Sequence, residues 1–321
     1  MQSKAIDTKL IIKVIRKYMI YFAFLGVTVF FSIVLRGKGF FTLSNALNII
    51  RQTAPLTILG VGLTFVIATG GIDLSFGSIV GLSSLVAALV LSKGANLWIA
   101  FLATLLVGTI VGFCNGFLYA KVKIPSFIST LAMQGIVYGI ALLPTDSAPV
   151  PIADETFNAV FGSFDVGVIP VLAFWSIITV ILGHIMLRHL KYGRIVLAVG
   201  GNELSAKYSG INVAKVKFSV MTFCGFTAGL AGCLYAGRMH TGRCTFGQNS
   251  VNPVITAVVL GGTIMSGGKA SVIGTLVGSI LIGMISNGLV IMGLNVAQQD
   301  IVQGLILLLA IAFGENHSRE A

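Results

Sequence analysis

The 321 residues are 56% hydrophobic and only 10% charged, with a mean hydropathy of +0.97, against roughly 25% charged residues in an ordinary soluble domain. Too little polar surface is present to coat a globule, which excludes a soluble domain. The formal net charge of +11 is dispersed among loops and forms no single basic face, so a nucleic-acid partner is not expected; positive loops on the cytoplasmic side of a membrane account for it.

Apolar runs of about 17 to 25 residues, each able to cross a hydrocarbon core of about 30 Å, recur along almost the whole chain. They predict ten spans, near Tyr18–Leu35, Ala54–Thr69, Leu74–Leu91, Leu97–Ala120, Pro125–Leu143, Gly167–Leu187, Val213–Ala236, Pro253–Met265, Val272–Met292 and Val296–Phe313. The expected fold is an all-α integral membrane protein, one transmembrane domain over residues 1–321. The first run follows a basic leader, exceeds the length of a signal-peptide core and lacks a small-residue cleavage site, so it is expected to stay in the mature chain. Before the second, Ser44 and "NALNIIRQTAP" predict a capped interfacial turn, with Pro55 redirecting the chain into the span.

With the N-terminus in the cytoplasm, fifteen of the 21 Lys and Arg residues fall inside and six outside: Arg36, Lys38, Arg51, Lys93, Arg238 and Arg243. The loop from Thr145 to Val166 carries Asp146, Asp154, Glu155 and Asp165 with no Lys or Arg, as an outer loop would. The reverse orientation inverts the bias, so both termini and the polar stretch after Leu190 are expected in the cytoplasm.

Two Gly-Gly sequences interrupt apolar runs, "VIATGGIDLSFGSIVG" from Val66 and "VVLGGTIMSGGKASVIG" from Val258. Their mutual likeness is loose and only weakly indicates an internal repeat. In lipid a helix breaks only where its freed backbone groups meet protein or a watery cavity, and transporters often bind cargo at such breaks. At the second, Asn252 as N-cap, Pro253 in the first turn and Gly261 as terminator predict a half-helix of about nine residues, well under half the core at about 1.5 Å per residue. Glycines at four-residue spacing, Gly108, Gly112 and Gly116 in one span and Gly225 and Gly229 in another, predict close helix packing.

Asp73 is the one carboxylate between the N-terminal leader and the Thr145 loop. At membrane depth it is a candidate functional group, because burying it alone costs several kcal/mol. "GGIDLS" also reads as a turn with an aspartate helix cap, so a cap, a gating or cargo contact, and proton coupling all stay open. His184 lies in a span and His189 at its cytoplasmic end, without a His-Glu-x-x-His motif, a partnered nucleophile or paired carboxylates, so no metal site or catalytic centre is expected. "GGTIMSGGKAS" imitates a phosphate loop but has Thr263 where glycine is needed and Ala270 where a hydroxyl is needed, so ATP is not expected on this chain. Cys114, Cys224, Cys233 and Cys244 show no Cys-x-x-Cys spacing and read as packing residues. The amides Asn115, Gln134, Asn252, Asn287, Gln298, Gln299 and Gln303 can hydrogen-bond a polyhydroxylated solute or tie helices together.

The stretches "GGIDLSFGS", "YGRIVLAVGGNELSAKYSGI", "ITAVVLGGTIMSGGKASVIGTLVGSILIGMISNGL" and "QGLILLLAIAF", in this order, resemble the membrane permease subunit of bacterial ABC importers for monosaccharides, the ribose, galactose, xylose and autoinducer-2 group. The likeness covers nearly the whole chain. It implies about ten helices with broken or half-helices in an architecture like that of the vitamin B12 importer, set in the lipid of the bacterial inner membrane. It also implies a second permease copy, a separate ATPase that holds ATP and Mg, and an extracytoplasmic sugar-binding protein. In such permeases the cytoplasmic segment corresponding to residues 191–212 is a coupling helix that fits a cleft on the ATPase. The resemblance thus puts Asn202, Glu203, Ser205, Lys207, Tyr208 and Gly210 at that contact, with Gly200 and Gly201 making the turn. The residues agree independently, since Asn202 can cap, Glu203 suits the positive helix end and Gly210 can close it.

Two departures from the family pattern stand out. Phe76 replaces the small aliphatic residue of "GGIDLSxGS", and Asn252-Pro253 replaces the acidic sequence many relatives have before the half-helix. The first bears on a gate and the second leaves the sugar open. Candidates for the translocation path are Asp73, Ser75, Phe76, Asn115, Asn252, Asn287 and Gln298. The expected activity is import of a monosaccharide or related polyol through a dimer levered open by the ATPase, with Asp146, Asp154, Glu155, Arg238 and Arg243 available to orient the binding protein. The rival is an ion-gradient-driven secondary transporter, which wants intramembrane charges placed as a relay.

Overall fold

The computed structural model describes residues 19–315; the basic leader and the extreme C-terminus, and with them the expected position of both termini, lie outside the described residues. Helices α1 (Met19–Val34), α2 (Leu43–Ala68), α3 (Phe76–Ser92), α4 (Leu97–Phe117) and α5 (Ser126–Leu142) precede a folded loop that holds the short α6 (Glu155–Asn158). α7 (Val171–Arg188) leads into two small helices, α8 (Lys191–Gly201) and α9 (Glu203–Tyr208), and α10 (Val213–Met239), α11 (Val251–Leu260), α12 (Val272–Ile291) and α13 (Val296–Glu315) follow. Five helices, α2, α4 with its π-helical extension to Val122, α7, α10 and α12, are long and apolar enough to cross a membrane, and α1, α3, α5 and α13 contain shorter apolar segments.

α2 is buried from Thr53 to Ala68 except at Leu56, and α10 packs on α4, α3 and α2. The bundle is joined by small side chains, as expected where burial from lipid brings no hydrophobic gain. On α4, Trp98, Leu102, Leu106, Ile110 and Phe113 face outward while Ala100, Thr104, Gly108, Gly112 and Asn115 are buried. A Cβ at Gly108 would collide with the Gly225 carbonyl, and one at Gly112 would stand 2.6 Å from the Met221 oxygen and 2.9 Å from the Gly225 Cα. The two predicted glycine stripes therefore form one seam.

The interfacial turn expected at Ser44 and Pro55 is corrected. Thr42 caps α2, its hydroxyl accepting from the Asn45 amide at 3.3 Å, and Pro55 lies inside an unbroken helix. Proline has no N–H for the carbonyl four residues earlier, which is that of Arg51. The Arg238 guanidinium donates to this carbonyl at 3.1 Å, so the lost helical bond is replaced from α10.

The acidic loop is folded. β1 (Val150–Pro151) pairs antiparallel with β4 (Thr241–Gly242), and β2 (Asp165–Val166) with β3 (Ile169–Pro170). Asp154 caps α6 by accepting from the Phe157 amide at 2.9 Å, and Asp165 pairs with Arg51 at 2.5 Å. Asp154 and Arg238 are thus engaged internally, whereas Asp146, Glu155 and Arg243 are exposed.

α11 has ten residues and ends at Gly261, a half-helix as expected. Its cap is corrected: Ser250 occupies the cap position without a side-chain bond, and Asn252 lies in the first turn, where its carbonyl accepts from the Thr256 hydroxyl at 2.7 Å. Pro253 fits because first-turn amides have no intrahelical partner to lose.

Candidate functional site: a glycine junction where two broken helices meet

α2 ends in a turn that returns the Gly70 amide to Ile67 and the Gly71 amide to Val66, with Gly70 at φ +77°. The next residues, 71–74, belong to no helix or strand, and their backbone needs partners. The first two turns of α5 supply them: Ser126 accepts from the Ile72 amide at 3.0 Å, and Thr130 accepts from the Leu74 amide at 3.1 Å and donates to the Ile72 carbonyl at 3.3 Å. Asp73 is fully buried, and its Oδ1 accepts from both the Ser75 amide (2.8 Å) and the Ser75 hydroxyl (2.7 Å). Asn115 of α4 donates to the same hydroxyl at 2.7 Å. Asp73, Ser75 and Asn115 therefore form one network that holds the start of α3, with Phe76 wholly buried beside it.

Two variants test the roles left open for Asp73. Asp73→Asn keeps the accepting oxygen and is expected to accumulate in membranes and transport within about twofold of wild type, whereas Asp73→Ala strands the Ser75 donors at a cost of about 1–3 kcal/mol. Detergent melting and solute uptake of both variants check this; an inactive but equally stable Asp73→Asn protein would show that the charge itself is required.

The second break folds onto the first. After Gly261 and Gly262, the Ile264 amide donates to the Lys269 carbonyl at 3.0 Å, and the Gly268 amide donates to the Ala68 carbonyl, the last of α2, at 3.0 Å. Gly267 and Gly268 adopt φ +89° and +82°, and a Cβ at Gly267 would stand 2.9 Å from the Gly70 amide nitrogen. Ser271 caps α12, accepting from the Gly274 amide at 3.0 Å. Arg188 at the end of α7 donates to the Ala270 carbonyl at 3.1 Å.

α8 closes the junction. Gly200 and Gly201 were expected to make a turn; instead they are the last residues of α8, and Gly200 rests directly on the backbones of both breaks. A Cβ at Gly200 would collide with the Ala68 carbonyl and lie 2.6 Å from the Gly268 nitrogen. Tyr192 anchors the other end of α8, its hydroxyl 2.8 Å from that of Ser219 on α10 and its ring stacked on Phe65 of α2.

α9 follows as the cap-to-glycine layout predicts. Asn202 accepts from the Ser205 amide at 2.9 Å, and Gly210 closes the turn at φ +80°. Glu203 pairs with Lys217 of α10 at 2.6 Å, fixing α9 to the bundle. Ser205, Lys207 and Tyr208 are exposed. Leu204 was missed by the sequence reading: it is 66% exposed, Tyr208 is 88% exposed, and their four-residue spacing puts both on one helix face.

The remaining path candidates are scattered. Asn287 accepts from the Asn45 side chain at 2.8 Å and ties α12 to α2. Gln298 and Asn295 cap the exposed start of α13 reciprocally, each bond 3.0 Å. Asn252 lines a separate polar cavity with Gln134, Gln248, Asn249, Asp300 and Gln303. His184 and His189 pack edge to face at 5.7 Å, and among the described residues no cluster of metal-ligating side chains is found. Cys224, Cys233 and Cys244 are buried and free, and Cys114 is exposed.

Apolar helices joined by small residues, broken at two places whose backbones are satisfied by protein, make this a polytopic membrane permease. Residues 45–311 match the family described as branched-chain amino acid transport system / permease component, and the chain belongs to that family. The ribose import permease protein RbsC of Escherichia coli (strain K12) is 38% identical over 276 residues, 85% of this chain and 86% of the relative. RbsC of Bacillus subtilis (strain 168) is 35% identical over 297 residues, 92% of each chain. The L-arabinose ABC transporter permease protein AraH of Azospirillum brasilense is 32% identical over 304 residues, 94% of this chain and 86% of the relative. No solved structure matches the chain.

Proposed function

We propose that this chain is the membrane-spanning channel subunit of an ATP-driven, binding-protein-dependent importer of a monosaccharide or related small polyol. The observation that carries this reading is the 38% identity to a ribose import permease over 85% of the chain. ATP and Mg belong to a separate ATPase, so this chain is not an enzyme. The full assembly has two permease copies with about ten crossings each, in an architecture like that of the vitamin B12 importer. It lies in the bacterial inner membrane with both termini in the cytoplasm, and an extracytoplasmic sugar-binding protein docks on the opposite face.

The geometry supports a route for the work. The ATPase engages α9 through Leu204 and Tyr208, an exposed apolar pair on a cytoplasmic helix, with Asn202, Glu203, Ser205, Lys207 and Gly210 shaping and flanking that surface. α8 leads into α9 and ends on the two breaks, so movement of this pair reaches both breaks at once. ATP-driven closure supplies the bias, and the permease supplies two packings of similar energy.

Reconstitution of the permease with its ATPase and binding protein tests the function, the expected result being sugar accumulation only with all three parts and ATP. Accumulation by the permease alone under an ion gradient would instead support the secondary transporter. Leu204→Asp combined with Tyr208→Ala is expected to lower sugar moved per ATP by about tenfold, equivalent to about 1.4 kcal/mol of lost coupling, without unfolding, because exposed positions contribute little to stability. Gly210→Val, forced to φ +80°, adds about 1–2 kcal/mol of backbone strain to the same element. Unchanged coupling in both variants would remove α9 from the contact.

A further inference from the structure

Outside the junction, the polar cavity bordered by α5, α11 and α13 is the most unusual feature of so apolar a chain. It is a half-open recess of about 360 Å³, within the range of small-molecule sites, with Asn249, Asn252 and Asp300 exposed and Gln134, Gln248 and Gln303 half-buried. Six of its lining residues are Gln134, Gln248, Asn249, Asn252, Asp300 and Gln303, beside Val251 and Pro253. We propose that this cavity is a polyol-binding subsite, in which the amides and the Asp300 carboxylate hydrogen-bond the hydroxyl groups of a monosaccharide. The proposal rests on the importer reading above and deepens it.

The chemistry of the lining selects the ligand. A hydroxyl group both donates and accepts, and a side-chain amide offers both partners, while a carboxylate accepts from more than one hydroxyl. No Lys, Arg or His lines the cavity, so nothing there recognises an anion. The one carboxylate and the amide oxygens are also of the kind that ligate a hard cation, and the labelling experiment below separates that occupant from a sugar. Two amides are held from behind: Gln248 donates to Ser78 at 3.1 Å and Gln303 to Ser286 at 3.3 Å, which leaves their carbonyl oxygens for a ligand. Gln134, Asn249, Asn252 and Asp300 have no side-chain hydrogen-bond partner among the described residues. Asp300 stands exposed near the start of α13, whose segment Val296–Ala312 is one of the shorter apolar helices. No aromatic ring lines the cavity, so a sugar gains no stacking there, which suits a site that must release what it binds.

Cysteines placed singly at Gln134 and Asn252, in a chain carrying Cys114→Ser, are treated in membrane vesicles with a charged, water-soluble methanethiosulfonate. Both are expected to react, and saturating D-ribose or L-arabinose is expected to slow the reaction about tenfold. Failure to react, or a rate that neither sugar changes, overturns the subsite; slowing by sodium in place of sugar makes it a cation site and also overturns it. In the complete importer, Asp300→Asn and Gln134→Leu are expected to lower sugar uptake about tenfold at equal amounts of inserted chain. Undiminished uptake by both overturns the subsite and leaves the importer reading standing. Absence of uptake by the wild-type importer overturns that reading, and the labelling result then decides the cavity by itself.

Discussion

Gly200→Val is expected to abolish solute uptake while the chain still inserts in the membrane and still recruits its ATPase. The reason is the shared surface beneath one residue. Gly200 touches the Ala68 carbonyl at the end of α2 and the Gly268 amide of the second break, and these two groups are hydrogen-bonded to each other at 3.0 Å. Any side chain at residue 200 must lift α8 off both. The loop cannot easily yield, because Gly267 and Gly268 already occupy a left-handed conformation that few other residues tolerate. The stability cost, about 1–3 kcal/mol for such overpacking, is survivable in a large bundle, but the transmission surface is lost. Gly201→Ala is the matched control: its Cβ would meet the Gly268 Cα at 3.9 Å, an ordinary contact, and uptake is expected to continue. Vesicle uptake, ATPase co-purification and melting of the two variants decide the matter. Uptake by Gly200→Val above about half of wild type would remove the junction from the mechanism.

What the sequence reveals here, and what it hides, divides along one physical line. Many terminators and caps that act within a few residues are legible, Gly261 ending α11 and Asn202 and Gly210 bracketing α9, although the caps read at Ser44 and Asn252 belong to Thr42 and Ser250. Groups freed by a break and satisfied from far away are not. Pro55 reads as a turn because the donor that replaces its missing N–H sits on Arg238, 187 residues from the Arg51 carbonyl. Gly200 reads as part of a turn because its reason for being glycine is the pair Ala68 and Gly268, which only folding brings near. Ser126 and Thr130 look like ordinary residues of a helix start until Ile72 and Leu74 are docked on them. Leu204 and Asp300 were missed although their signals are local, a four-residue spacing from Tyr208 in the one case and a charge within an expected span in the other.

The other large effect belongs to the seam between α4 and α10. Gly225→Leu is expected to destabilise the folded chain by about 3 kcal/mol or more, the upper end of overpacking costs, and to deplete it from membranes. A Cβ at Gly225 would collide with the Gly108 carbonyl and lie 2.7 Å from the Gly112 Cα, so the obstruction is backbone, which has no rotamer to escape into. Nor can α10 back away freely, since it also packs on α3 and α2. A Cβ at Gly232 would stand 2.7 Å from the Val80 carbonyl, and one at Gly62 would collide with Thr227. Opening the first seam therefore disturbs the helix that carries Gly70 and Asp73 at its end. Gly135→Leu on α5 provides the contrast, because nothing lies within 4 Å of the added Cβ and the side chain projects into open space. Thermal unfolding in detergent is expected to show a large drop for Gly225→Leu, a smaller one for Gly225→Ala and none for Gly135→Leu. Equal melting of the two leucine variants would mean that close backbone approach is not what holds this bundle together.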